Sequence, residues 1–523
     1  MSLDPASLQI LVSRLAGVAE EMSAVLRRSA FSPNIKERAD CSTALFTADG
    51  ELLAQAENIP VHLGSMPASV SAAIERFGPA SADMAAPDTL RPGDQIILND
   101  PFAGGTHLND ITVVAPCFVG RLGEERLLGW AATRAHHADV GGAAPGSLPA
   151  DAVEIFAEGL RLPPVRLTSE VRAVLLANSR TPDERAGDLD AQVGANVVGV
   201  ARLAAFAEEP LGEVLDYAER RTRAVLAELP DGCWTFTDVV DSFGPAPAQQ
   251  IETVITVTVT INGDAIAFDF TGTGPQRAGN VNAVEAVTES SVAYALRAGT
   301  DPTLPANGGI LRPLTVIAPP GTIVNALAPA AVGAGNVEVS QRVADVCFGA
   351  LAQARPGRLG AASQGTMNNV LIGNDRWVYY ETLAGGQGGR ASGAGMSGVH
   401  THMTNTRNTP VEALERAFPV RVRRLRLRRG SGGAGIHPGG EGIERDLEVL
   451  EAVTLSLITE RRRSAPWGAD GGEAGAVGEN WLLPGGREED AYRLPDKITI
   501  ALEAGDVIRI LTPGGGGWGA LKT

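Results

Sequence analysis

The stretch IETVITVTVTINGDAIAFDFTG, residues 251–272, places Val, Ile and Phe at alternate positions on both sides of Asn262-Gly263. Alternation with period two puts those apolar side chains on one face of an extended chain, and Asn-Gly between two such runs signals a two-residue turn. The stretch therefore predicts a β-hairpin with one buried face, and sheet as well as helix in the middle of the chain. Upstream, residues 188–229 are rich in Ala, Leu, Val, Glu and Arg with Pro210 inside them, which predicts two helices meeting at that proline. Earlier still, short apolar runs at 43–46, 95–98, 111–118 and 127–132, separated by Gly, Pro and Asp, predict a sheet-rich α/β unit over 41–170. Leu8, Leu11, Leu15, Val18, Met22 and Leu26 recur at helical spacing behind Asp4-Pro5, so the chain is expected to open on an amphipathic helix.

Downstream, 282–298 and 337–351 read as helices, and from 419 onward short strands are expected between Gly-rich turns. No repeat of fixed period appears. The fold class expected is mixed α/β (α+β), multidomain, with a β-rich C-terminal region. The expected divisions are 1–185, a helix and α/β unit carrying the site, 186–415, a central helical and hairpin region, and 416–523.

The bulk numbers fit a folded protein. The 523 residues suffice for several cores, and 44% hydrophobic with 20% charged residues is an ordinary globular composition. A net charge of -17 repels phosphate backbones and anionic membrane surfaces, so neither nucleic acid nor membrane is an expected partner. Cys41, Cys117, Cys233 and Cys347 form no CxxC pair and read as reduced thiols of a cytoplasmic protein. The N-terminus has an acid where a signal peptide would carry bases, and the apolar stretch 314–332 is broken by Pro and Gly.

Chemistry concentrates in NDPFAGGTHLND, 99–110, and RAHHADVGG, 134–142. His107 and Asp110 are three apart, and His136 follows after two predicted strands, so adjacent strand ends can bring imidazole and carboxylate together. Nitrogen plus oxygen donors without cysteine suit Zn, Mn or Fe as a divalent transition metal. Hydrogen-bonded structural groups show the same spacing. His400 and His402 in GVHTHMTNTRNTP, 398–410, would share one face of a strand, where they hold a metal or a carbonyl, or else belong to a polar loop. Arg421, Arg423, Arg424, Arg426 and Arg428 form a basic strand, read as internally paired or solvated in preference to a phosphate or partner surface. Lys36, Lys497 and Lys522 are the lysines of the chain and none follows glycine, so no GxxxxGK[ST] nucleotide loop is present. GxSxG and HExxH are absent as well.

These motifs, with NIKERADCSTALF (34–46), IPVHLGSMP (59–67), EIFAEGLRLPP (154–164), FDFTGTGPQ (268–276) and the PGGGGWG end, resemble the hydantoinase B/oxoprolinase family over essentially the whole chain. The family comprises B-type subunits of N-methylhydantoinase, 5-oxoprolinase and caprolactamase, and is similar to the acetone carboxylase large subunit. The resemblance implies a metal-binding subunit of a hetero-oligomer whose A-type partner binds ATP and phosphorylates a cyclic amide substrate. It implies Asp40, His107, Asp110 and His136 as metal ligands. His137 and Asp139 are the catalytic groups expected beside them, with His137 an alternative ligand to His136 and Asp139 orienting an imidazole. A ketone carboxylase subunit and a non-catalytic scaffold are the competing readings.

Overall fold

The computed structural model describes residues 3–56, 58–78, 89–121 and 124–521. The first sheet contains β1 (Cys41–Thr47), β2 (Leu52–Gln55), β3 (Ile96–Leu98), β4 (Asp110–Val119), β5 (Arg126–His136) and β6 (Val165–Arg166), in the order β2-β1-β5-β4-β3-β6. Every neighbouring pair is antiparallel. Alternation along the strands gives each face its own apolar layer. Leu45, Ala131 and Ala135 face the helices Pro5–Ser29 and Pro182–Leu203, packing with Leu15, Met22, Ala191 and Ala195. Ala44, Phe46, Trp130 and Ala132 face the other way, against Met66 and Val70 of the helix Ser65–Phe77. That helix lies within a stretch expected to hold strands and loops. Gly129 sits where β5 crosses β1, and a Cβ there would come within 2.1 Å of the Phe46 carbonyl oxygen, so the two strands approach only because this residue has no side chain.

The hairpin forms as the alternation demands. β7 (Gly232–Val240), β8 (Thr253–Asn262), β9 (Ala265–Asp269) and β10 (Leu314–Ile317) make a four-stranded sheet with β10 parallel to β9. Ile255, Val257, Val259 and Ile261 are buried on one face. On the other, Thr256 and Thr258 bond to Thr237 and Thr235 across the strand pair at 3.0 and 2.9 Å. Asn262 pairs with Ala265, so the loop is Gly263-Asp264, one residue later than an Asn-Gly loop. Gly263 takes φ 61°, which glycine adopts without the cost of a Cβ.

Two helices meet near Pro210 as expected, Pro182–Leu203 and Gly212–Ala227. The helices Glu285–Gly299 and Ser340–Ala354 follow, the second preceded by a π-helical turn, Gly335–Val339. The C-terminal region is β-rich. One sheet is Val378–Thr382, Asn369–Gly373, Val453–Ile458 and Lys497–Leu502; the other is Val420–Leu427, Ile443–Val449, Val507–Leu511, Glu479–Leu483 and Tyr492–Leu494. They share an apolar core that includes Val370, Leu447, Leu455 and Ile508. Asn369 pairs with Ile458, so this sheet joins segments on both sides of residue 416.

Candidate metal centre

Adjacent strand ends build the centre. Asp110 opens β4 and His136 closes β5, and the two residues are directly paired in the ladder. His107 lies on the turn into β4, where the Asp110 amide donates to the His107 carbonyl at 3.0 Å. Asp110 Oδ1 stands 2.9 Å from His107 Nε2 and 3.2 Å from His136 Nδ1. One donor atom from each of His107, Asp110 and His136 lies within 4.8 Å of the others, and all three residues are buried.

The donor chemistry fits a cation. Both ring nitrogens of His107 and Nε2 of His136 are buried without an aligned hydrogen-bond partner. An unpaired buried polar atom is costly, and His107 Nε2, unpartnered and facing the Asp110 carboxylate, is one that a divalent ion would satisfy. Donors that each sit about 2.1 Å from one ion at right angles to each other are about 3 Å apart, and each imidazole stands at such a distance from Asp110 Oδ1. The surrounding groups fix the carboxylate: Thr106 Oγ1 donates to Asp110 Oδ2 at 2.7 Å, Asn336 Nδ2 does so at 3.2 Å, and His62 Nε2 lies 3.5 Å from the same oxygen. His62 is held from behind by Ser42 at 2.9 Å. Tyr380 stacks on the His136 ring with centroids 4.6 Å apart, and its hydroxyl donates to Asn369 Oδ1 at 2.8 Å.

Electrostatics follow this packing. Burial works against charge on both partners, but the facing Asp110 carboxylate raises His107 above its ordinary range, and His107 with the other donors holds Asp110 well below the usual carboxylate range. Burial lowers His136. Glu158, behind the site, accepts from the Val332 and Gly333 amides and is pushed up to about 7 by burial.

Asp40 lines the same cavity as Asp110 and His136, but it stands outside the tight three-residue group, and its carboxylate is 4.0 Å from Arg38 Nη2. Its carbonyl accepts from the His136 amide at 3.1 Å, which ties the start of β1 to the end of β5. His137 points elsewhere. Its Nε2 lies 2.9 Å from Gln192 Oε1 on the helix Pro182–Leu203, and burial lowers it to about 4. Asp139 accepts from the amides of Gly141, Gly146 and Arg180 and pairs with the Arg180 guanidinium at 2.9 Å, so its bonds organise a loop and reach no imidazole. His62 and Asn336 were not singled out from the sequence, although His62 lies in the quoted IPVHLGSMP motif; Asn336 carried no signal.

The cavity at the centre is about 20 Å³ and is walled by Tyr380, Met403, Thr404 and Thr406 among others. His400 and His402 lie outside it. The segment is a loop and not a strand, with His402 at φ 57°, and both rings line a separate pocket. The arginine strand Val420–Leu427 is internally paired, Arg423 with Glu448 at 2.9 Å and Arg426 with Glu444 at 2.6 Å. The four cysteines are free thiols, and no described helix is long and apolar enough to cross a membrane.

The family model for hydantoinase B/oxoprolinase matches residues 4–521. An uncharacterised protein of Methanocaldococcus jannaschii is 40% identical over 99% of this chain and 91% of its own length. 5-Oxoprolinase 1 of Arabidopsis thaliana is 37% identical over 99% of this chain, which spans only 42% of that longer protein. A Pseudomonas sp. (strain NS671) protein named as the B-type subunit of a D-/L-hydantoinase is 30% identical over 99% of this chain and 90% of its own. The crystal structure of ATP-dependent caprolactamase from Pseudomonas jessenii matches with TM-score 0.89 and 28% identity, covering 99% of this chain and 92% of that one. Acetone carboxylase in its nucleotide-free structure shares the fold, with TM-score 0.88 at 20% identity, covering 99% of this chain and 76% of that one.

Proposed function

The chain belongs to the hydantoinase B/oxoprolinase family, and from that membership we propose that it is the metal-binding B-type subunit of an ATP-dependent cyclic amide hydrolase. The observation that carries the reading is the buried His107, Asp110 and His136 group with its unpartnered imidazole nitrogens, within a chain similar to a B-type D-/L-hydantoinase subunit and to an ATP-dependent caprolactamase. In this reading an A-type ATPase subunit supplies the phosphorylated substrate, which accords with a sequence that has no GxxxxGK[ST] loop. The complex is a cytoplasmic hetero-oligomer, a compartment suited to four free thiols.

His107, Asp110 and His136 would hold a divalent Zn, Mn or Fe ion, with Asp40 completing the set from the cavity wall. When bound, such an ion lowers the pKa of water and stabilises developing oxyanion charge. The chain's own groups do the positioning. Thr106, Asn336 and His62 fix the Asp110 carboxylate, and Tyr380 fixes the plane of the His136 ring, as outer partners of metal ligands do. His137 and Asp139, expected as catalytic groups from the family resemblance, are assigned here to support: His137 pins β5 to its covering helix, and Asp139 shapes the loop that follows.

The test is reconstitution with an A-type ATPase subunit. Substrate-stimulated ATP hydrolysis coupled to opening of a hydantoin, oxoproline or lactam ring, lost in His107→Ala, is the expected result. ATP-dependent consumption of a ketone with bicarbonate would assign a carboxylase instead, and an unchanged rate in His107→Ala would reduce the chain to a scaffold.

A further inference from the structure

Three buried polar side chains outside the metal-binding group form a line that ends on one of its rings. Tyr380, which stacks on His136 with centroids 4.6 Å apart, donates from its hydroxyl to Asn369 Oδ1 at 2.8 Å. Asn369 Nδ2 donates in turn to Glu338 Oε1 at 2.7 Å and to the Ile458 carbonyl at 2.8 Å. The Met367 amide donates to the same Glu338 oxygen at 3.2 Å. Glu338, Asn369 and Tyr380 are each no more than 2% exposed. Val337, Val339 and Tyr380 itself belong to the main apolar core, where polar groups carry a cost that apolar residues of the same size would not.

The line closes into a circuit. Glu338 shares the π-helical turn Gly335–Val339 with Asn336, whose Nδ2 donates to Asp110 Oδ2 at 3.2 Å. Asp110 is paired with His136 in the β4/β5 ladder, and His136 lies against Tyr380. One short turn thus reaches the carboxylate of the centre directly and one of its imidazoles through Asn369 and Tyr380. Turns of this kind are rare and recur at functional sites. The torsion that swings an imidazole about its Cβ–Cγ bond is soft. The direction of His136 Nδ1 toward Asp110 Oδ1, 3.2 Å away, therefore depends on what holds the ring plane. A linked set of buried hydrogen bonds behind the stacked ring supplies rigidity that the stack alone does not.

We infer that Glu338, acting through Asn369 and Tyr380, is a positioning residue for the His136 imidazole. Its Oε1 fixes the Asn369 amide, the amide fixes the Tyr380 hydroxyl, and the ring so anchored sets the plane in which His136 offers Nδ1. The role rests on the metal-binding reading above and extends the support of the centre into the C-terminal sheet, since Asn369 and Tyr380 lie on the strands Asn369–Gly373 and Val378–Thr382.

The experiment measures the affinity of the full chain for zinc and, separately, for manganese by competition with a chromophoric chelator, with thermal unfolding as the check that each variant is folded. Y380F keeps the stacked ring and removes the hydroxyl; it is expected to weaken binding by about tenfold, the low end of the loss from an outer partner of a ligand. E338A is expected to weaken it similarly, and E338Q, which keeps an oxygen for Asn369, to restore most of the affinity. The double variant E338A/Y380F is expected to bind no more weakly than the weaker single variant, because both changes cut the same line. E338D, which withdraws the oxygen by one methylene and keeps the charge, takes the place of E338A should the latter not fold. Losses that add in the double variant, parent-like affinity in Y380F, or no recovery in E338Q would overturn the role of Glu338 alone. A parent chain that takes up neither ion would strike the metal-binding reading and this role with it.

Discussion

At the level of single residues, the centre is a contest between burial and mutual charge. Asp110 carries three roles at once, as a ladder residue paired to His136, a neighbour of two imidazoles at 2.9 and 3.2 Å, and an acceptor from Thr106 and Asn336. His62 reaches this carboxylate from outside the triad, so His62→Ala is expected to weaken metal affinity by about 10–100-fold, the usual effect of losing an outer partner of a ligand. Titration with a competing chelator would check this, and unchanged affinity would show that Thr106 and Asn336 suffice. His107, Asp110 and His136 were legible because each lies in a short polar motif near a strand end. His62 was not, because nothing in a linear reading says that the short helical turn Pro60–His62 folds over the end of β4. From the sequence His136 was the expected ligand and His137 its alternative; in the structure one ring lines the cavity and the other meets Gln192.

Among the elements, glycines decide two junctions. Gly263 has open space where a Cβ would stand but a φ of 61°, so Gly263→Ala is expected to cost about 1–2 kcal/mol through backbone strain alone, read as a lower urea midpoint with unchanged slope. Gly129→Ala would instead drive a methyl into the Phe46 carbonyl and is expected to destabilise by about 1–3 kcal/mol or more, with β1 and β5 forced apart. If both substitutions cost the same and leave metal binding alike, the close β1/β5 approach is not what holds the site. Periodicity revealed the hairpin and the long helices because each has an unbroken apolar rhythm over many residues. The helix Ser65–Phe77 escaped, since Ser, Ala and Pro dilute its apolar positions and its neighbours are short strands. The pairing of Asn369–Gly373 with Val453–Ile458 is a long-range choice that no local pattern encodes.

Across the whole molecule, buried ionisable groups tie the regions together and set the response to pH. Glu338, on the π-helical turn, accepts from Asn369 at 2.7 Å and is pushed up to about 8, chiefly by burial and then by Glu460, itself pushed up to about 7 by burial. A raised carboxyl binds its proton more tightly folded than unfolded. Its contribution is therefore fully present below the ordinary value of 4.5 and is lost as pH rises toward about 8. The unfolding temperature of the chain is expected to fall across that interval, and Glu338→Gln is expected to flatten the slope; an unaltered slope would place the effect in other groups. Asp110, held low, acts in the opposite sense and matters only as acid protonates it. The fold's class and its β-rich end were readable from composition and rhythm. The convergence of the turn at 60–62, the strand ends at 110 and 136, and the π-helical turn at 336 on one cavity was not, because it is a property of tertiary packing.

The metal centre itself is best tested by elemental analysis of the purified full chain beside its His107→Ala variant, each supplied with Zn, Mn and Fe and shown to be folded. A stoichiometric divalent ion in the parent chain, lost in the variant, is the expected result. Equal metal content in the two, or none in the parent after supplementation, would contradict the assignment of His107, Asp110 and His136 as ligands.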